Sequence, residues 1–126
     1  MNELRVLLVD DEEELVATLQ ERLEIRGMRA ESATSGDAAL RMVQRAPFDV
    51  IVVDLKMPGL DGTKIVGRIR EQHPETQVIL ITGHGSSHGE LDDLTDRDYP
   101  ILLKPFPIQR LVELIQELTS GRRVEP

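Results

Sequence analysis

A regular alternation dominates this chain. Short runs of Leu, Ile and Val alternate with longer segments whose apolar residues recur at helical spacing. The first run is "LRVLLV", Leu4 to Val9, β-branched and apolar enough to be buried on both faces. "DDEEELVATLQERLEIRG" follows, with Leu15, Val16, Leu19 and Leu23 on one helical stripe. Acids crowd its first turn and Gly27 sits at its end, the polarity a helix requires.

The cycle then repeats. "MRAESA" is a weaker strand, and "SGDAALRMVQRA" a short helix using Ala39, Leu40 and Val43. "DVIVV" is the most apolar strand, and "DGTKIVGRIREQ" a helix on Ile65, Val66 and Ile69, weakened by Gly67. "QVILIT" and "PILL" are the last two strands. "PIQRLVELIQELTSG" is the final helix, with Pro107 near its start and Gly121 after its end. Strands alternating with helices form βαβ units, so the sheet is parallel and covered by helices on both faces. The expected fold is α/β: a flavodoxin-like, doubly wound, five-stranded sheet in the order 2-1-3-4-5. At 126 residues the chain suits one domain, over residues 1–120, with a polar tail at 121–126.

Composition removes several function classes. The net charge of −8 is opposite to the basic footprint of a nucleic-acid-binding domain. Without cysteine there is neither a disulfide framework nor a thiolate zinc site. No signal peptide or long apolar run is present, which points to the cytoplasm and away from a membrane.

In a doubly wound sheet, ligands bind beyond the carboxyl ends of the strands, at the switch point of strand order. Strand one ends in Asp10-Asp11, strand three in Asp54, strand four in Thr82 and strand five in Lys104. Each has a plain structural reading by itself: Asp10 or Asp11 as a helix cap, Lys104 as a surface lysine. Together they deliver three carboxylates, a hydroxyl and an ammonium to one crevice. Crowded, partly desolvated carboxylates call for a hard cation such as Mg²⁺, which completes its shell with water and phosphate oxygens. Lys104 and Thr82 then suit a phosphoryl group in transfer. Asp54 closes a buried strand so that one carboxylate oxygen is held in line with a phosphoryl donor, with an aspartyl phosphate as product.

The motifs "LLVDDE", "VVDLKMPGLDG", "LITGHG" and "LLKPF", in this order, closely resemble the CheY-like receiver domain of two-component response regulators, from Leu4 to about Thr119. The resemblance implies Asp54 as phosphoacceptor, Asp11 as a direct Mg²⁺ ligand and Asp10 as a ligand through water. It implies the backbone carbonyl of Lys56 as a further ligand, Thr82 as the switch hydroxyl, Lys104 as the partner of a phosphoryl oxygen, and a cis Lys104-Pro105 bond. The donor would be a sensor histidine kinase or phosphotransfer protein. The chain would be a switch with slow autodephosphorylation, not a turnover enzyme. An output domain or protein would read the fourth-helix, fifth-strand and fifth-helix face, a face that also supports homodimers in the family. Too few residues follow Thr119 to hold an effector domain.

Several positions depart from the family pattern. Ser86 to Pro100 carries Glu90, Asp92, Asp93, Asp96 and Asp98, with only Leu91, Leu94 and Tyr99 as anchors. A short or mobile fourth helix, about Gly89–Thr95, is expected. We read its acids as a solvated face, ahead of a docking surface for a basic partner. Ile101 stands where many receivers carry an aromatic that swings on activation. The Lys56 side chain is expected near the solvent approach to the phosphoryl group. His84 and His88 have the spacing of a metal pair, which binds metal only on a formed helix with a third ligand, and the Gly-rich stretch around His84 speaks against that reading. Leu114 falls at the margin of the last helix's stripe, available to a partner. Two other functions compete. A receiver-like interaction module would work without phosphorylation. A phosphohydrolase with an aspartate nucleophile needs an acid two residues beyond it, where Lys56 stands.

Overall fold

The computed structural model describes residues 3–57, 62–83 and 99–123. The strands are β1 (Arg5–Val9), β2 (Arg29–Ala33), β3 (Val50–Asp54), β4 (Gln77–Thr82) and β5 (Ile101–Leu103). The helices are α1 (Glu13–Ile25), α2 (Gly36–Arg45), α3 (Gly62–Gln72) and a C-terminal helix (Ile108–Arg123). All strand pairs are parallel, in the order β2-β1-β3-β4-β5. The flavodoxin-like, doubly wound expectation is met.

Successive strand residues point to opposite faces, and this period builds two cores. Val6, Leu8, Val50, Val52, Ile79 and Ile81 face α1 and the C-terminal helix. Leu7, Val9, Ile51, Val53, Val78 and Leu80 face α2 and α3. Each fully buried Leu, Ile or Val contributes about 1.5–3 kcal/mol relative to exposure. β3 is buried at every position, which is why its sequence shows a continuous apolar run instead of alternation.

Helix ends follow local chemistry. Gly27 adopts φ +87°, and α1 closes with Gly27 N–H bonding Glu24 O and Met28 N–H bonding Leu23 O. That is a Schellman ending, for which glycine avoids the Cβ clash of a left-handed residue. Ser35 caps α2 by accepting from Ala38 N–H at 3.1 Å. The C-terminal helix corrects two expectations. It continues through Gly121 to Arg123 instead of stopping before that glycine. An internal glycine costs only about 1 kcal/mol and does not by itself end a helix. Leu114 is buried among the core residues, not held at a margin for a partner. The helix packs against both the sheet and α1, so its buried arc is wider than a single-surface stripe.

The expected fourth helix, its acids, and the His84 and His88 pair lie outside the described residues. Among the described residues, no helix is long and apolar enough to cross a membrane.

Candidate functional site

Register brings the acidic residues together. Val9 pairs with Val53 across β1 and β3, so one further step sets Asp10 beside Asp54. Asp54 pairs with Ile81, and Thr82 with Leu103, which carries Thr82 and Lys104 to the same sheet edge. Leu55 N–H bonds Ile81 O at 2.9 Å and Lys104 N–H bonds Thr82 O at 2.8 Å, extending the ladder past the strand ends. The Lys104-Pro105 peptide is cis, as the resemblance implied.

Asp54 is buried and held on both oxygens. Lys56 N–H donates to Oδ1 at 2.9 Å, and Lys104 Nζ donates to Oδ2 at 3.0 Å. Asp10 Oδ1 accepts from Glu12 N–H at 2.9 Å, so the cap-like role of Asp10 and its place in the crevice coexist. Lys104 Nζ lies 3.1 Å from Asp10 Oδ2 and 3.1 Å from Glu12 Oε2. One ammonium thus faces three carboxylates.

The electrostatics follow from this crowding. Burial pushes the Asp10 carboxyl above its usual value, and repulsion from Asp54 adds to the rise. The Glu12 N–H and Lys104 oppose it without cancelling it. Burial alone would lower Lys104, but its contacts with the carboxylates of Asp54, Asp10 and Glu12 outweigh that and raise its pKa above the ordinary lysine value.

Thr82 is fully buried. Among the described residues, its hydroxyl donates a long 3.4 Å bond to the adjacent Gly83 carbonyl. The Lys56 side chain is exposed while its N–H serves Asp54.

Asp10, Asp54, Lys56, Thr82 and Lys104 therefore meet at one edge. Asp11 is exposed, and among the described residues the carboxylates that converge within 4.8 Å are Asp10, Asp54 and Glu12. Glu12 was not singled out from the sequence. It opens α1 as its N-cap, yet its side chain makes no capping bond and reaches Lys104 instead. Its signal was the third acid of "LLVDDE", whose direction depends on how the chain enters the helix.

The donors suit a hard cation. They are all oxygens, and Asp10 Oδ2 is buried without a hydrogen bond although Lys104 stands near it. A divalent ion would satisfy that oxygen and relieve the repulsion.

The comparisons place the chain among known proteins. Residues 6–116 match the family model described as the response regulator receiver domain. The C4-dicarboxylate transport transcriptional regulatory protein DctD of Rhizobium meliloti is 31% identical, over 94% of this chain and 26% of its own length. The chain thus spans about a quarter of that relative. The response regulator receiver protein CpdR of Brucella abortus is 30% identical, over 90% of this chain and 95% of its own. A receiver domain structure from Clostridium thermocellum superposes with a TM-score of 0.82 at 30% identity, covering 95% of this chain and 97% of that one. With the family model spanning nearly the whole sheet and its site, this chain belongs to the receiver domains of two-component response regulators.

Proposed function

We propose that this chain is a phosphoacceptor switch in which Asp54 takes a phosphoryl group from a sensor histidine kinase or phosphotransfer protein in the cytoplasm. The observation that carries this is the seating of Asp54. A buried carboxylate at the end of the central strand is oriented by the Lys56 N–H and Lys104 within a cluster of further acids. In the transfer, an Asp54 oxygen attacks phosphorus, a P–O bond forms and the donor's P–N bond breaks. The electron pair leaves with the imidazole nitrogen, which is protonated from solvent.

Receiver domains generally bind Mg²⁺, and the acidic crevice is where it would sit. Asp10 and Asp54 would hold it, with the Lys56 carbonyl and with Glu12 or Asp11 supplying the remaining charge. Bound there, Mg²⁺ would offset charge on the phosphoryl oxygens. Lys104 would exchange its Asp54 contact for a phosphoryl oxygen, and the Thr82 hydroxyl would turn from Gly83 O toward another. These two movements would shift the Gly83 loop and the β5 end between two states that an output protein, or a second copy of this chain, distinguishes. The product stays on the protein, so this is not turnover catalysis.

Intact-mass measurement with acetyl phosphate tests the reading. A phosphoryl adduct is expected with Mg²⁺, and none with a chelator or in Asp54→Asn. No adduct in wild type with Mg²⁺ bound would favour an interaction module that works without phosphorylation.

A further inference from the structure

Gly62 is the first residue of α3 and is buried. A Cβ placed on it would overlap Leu55 Cδ2 and lie 3.8 Å from Leu55 Cγ. A Cβ on Gly67, further along α3, would meet nothing. The close approach therefore belongs to the Gly62 position.

Leu55 is a constrained neighbour. It is buried in the core cluster that holds Met57, Ile65 and Val66, and its N–H is bonded to Ile81 O. Its chain neighbours are Asp54 and Lys56, and the Lys56 N–H is what fixes Asp54 Oδ1.

We propose that Gly62 is a positioning residue for Asp54: its bare Cα lets α3 press on Leu55, and this contact seats the turn that aims the Lys56 N–H at Asp54. The proposal rests on the phosphoacceptor reading. A methyl at position 62 must displace the Leu55 side chain. In a close-packed core the displaced side chain has few vacant rotamers, so the backbone moves too. The Leu55 N–H is tied to β4 and the Lys56 N–H to Asp54 Oδ1, so a shift of the Leu55 backbone is passed directly to the bond on Asp54.

Three variants test this: Gly62→Ala, Leu55→Val and the double variant. Valine has no Cδ, so the double variant removes the overlap. The readouts are the Lys56 amide resonance in metal-free protein, the Mg²⁺ dissociation constant by calorimetry, and the rate of adduct formation with acetyl phosphate. Gly62→Ala should shift the Lys56 amide, weaken Mg²⁺ binding roughly tenfold and slow the adduct by a similar factor, within the losses that small misplacements produce. The double variant should return all three to the values of Leu55→Val. Lost stability in chelator with an unmoved Lys56 amide would mark Gly62 as merely structural and overturn the proposal. So would a double variant as impaired as Gly62→Ala. If Gly62→Ala fails to fold, a folded double variant with a native Lys56 amide supports the proposal, and a double variant that also fails to fold overturns it. If wild type forms no adduct, the phosphoacceptor reading fails, while the metal-free Lys56 amide still decides whether Gly62 positions the turn.

Discussion

Asp10 carries a charge the fold resists, since burial and Asp54 both raise its pKa. A carboxyl with a raised folded-state pKa binds its proton more tightly when folded. Its ionisation therefore subtracts stability as pH rises from the unfolded value of 3.8 through the folded value, and the penalty persists above that. Asp10→Asn should accordingly raise the thermal midpoint in chelator near neutral pH. The same substitution should shrink the stabilisation that Mg²⁺ adds. Calorimetric melts with and without Mg²⁺ check both, and an unchanged Mg²⁺ increment would contradict the assigned place of Asp10. Lys104 acts in the opposite sense. Its folded pKa is raised, so its contribution is complete below 10.5 and is lost as pH climbs through the folded value. Lys104→Ala leaves the nearly buried Asp10 and Asp54 without their counter-charge. A loss of roughly 1–3 kcal/mol is expected in chelator, discounted for the partial exposure of Lys104. Denaturant titration checks it, and Mg²⁺ should restore part of the loss.

Elements were legible where local chemistry decides them. The glycine after α1 and the serine before α2 mark real ends, because each satisfies helix-terminal groups from its own neighbourhood. Gly27→Ala should cost about 1–2 kcal/mol, since alanine resists the left-handed conformation at φ +87°. Ser35→Ala should cost about 1 kcal/mol through loss of the cap. Equilibrium unfolding measures both, and a neutral Gly27→Ala would mean that α1 closes differently. Gly121 misled because its own neighbourhood holds no competing cap signal. A buried Thr119 bonds back to Ile115 O at 2.7 Å, and the helix runs on. Leu114 misled because helical periodicity reports one buried stripe, whereas two surfaces cover that helix.

At the scale of the molecule, one sheet divides two cores and its centre is doubly covered. β1, β3 and β4 lie between neighbours, whereas β2 and the short β5 form the edges. Native-state hydrogen exchange should show β1 and β3 amides opening only with global unfolding, and β5 amides opening at lower free energy. Equal protection in β3 and β5 would contradict this. The site sits at the carboxyl end of the best-anchored strands, which keeps Asp54 fixed.

The sequence by itself determined the alternation of strands and helices, the parallel five-stranded sheet, and the arrival of Asp10, Asp54, Thr82 and Lys104 at one edge. Periods of two and of about 3.6 residues sort side chains within each element, and strand ends in a doubly wound sheet share one rim. Only the tertiary structure decided that Glu12 joins Asp10 and Asp54 around Lys104, and that Gly62 lies against Leu55. Those outcomes depend on the direction of side chains leaving a turn and on the approach of elements far apart in sequence. Register and packing set both, and no period in the chain encodes them.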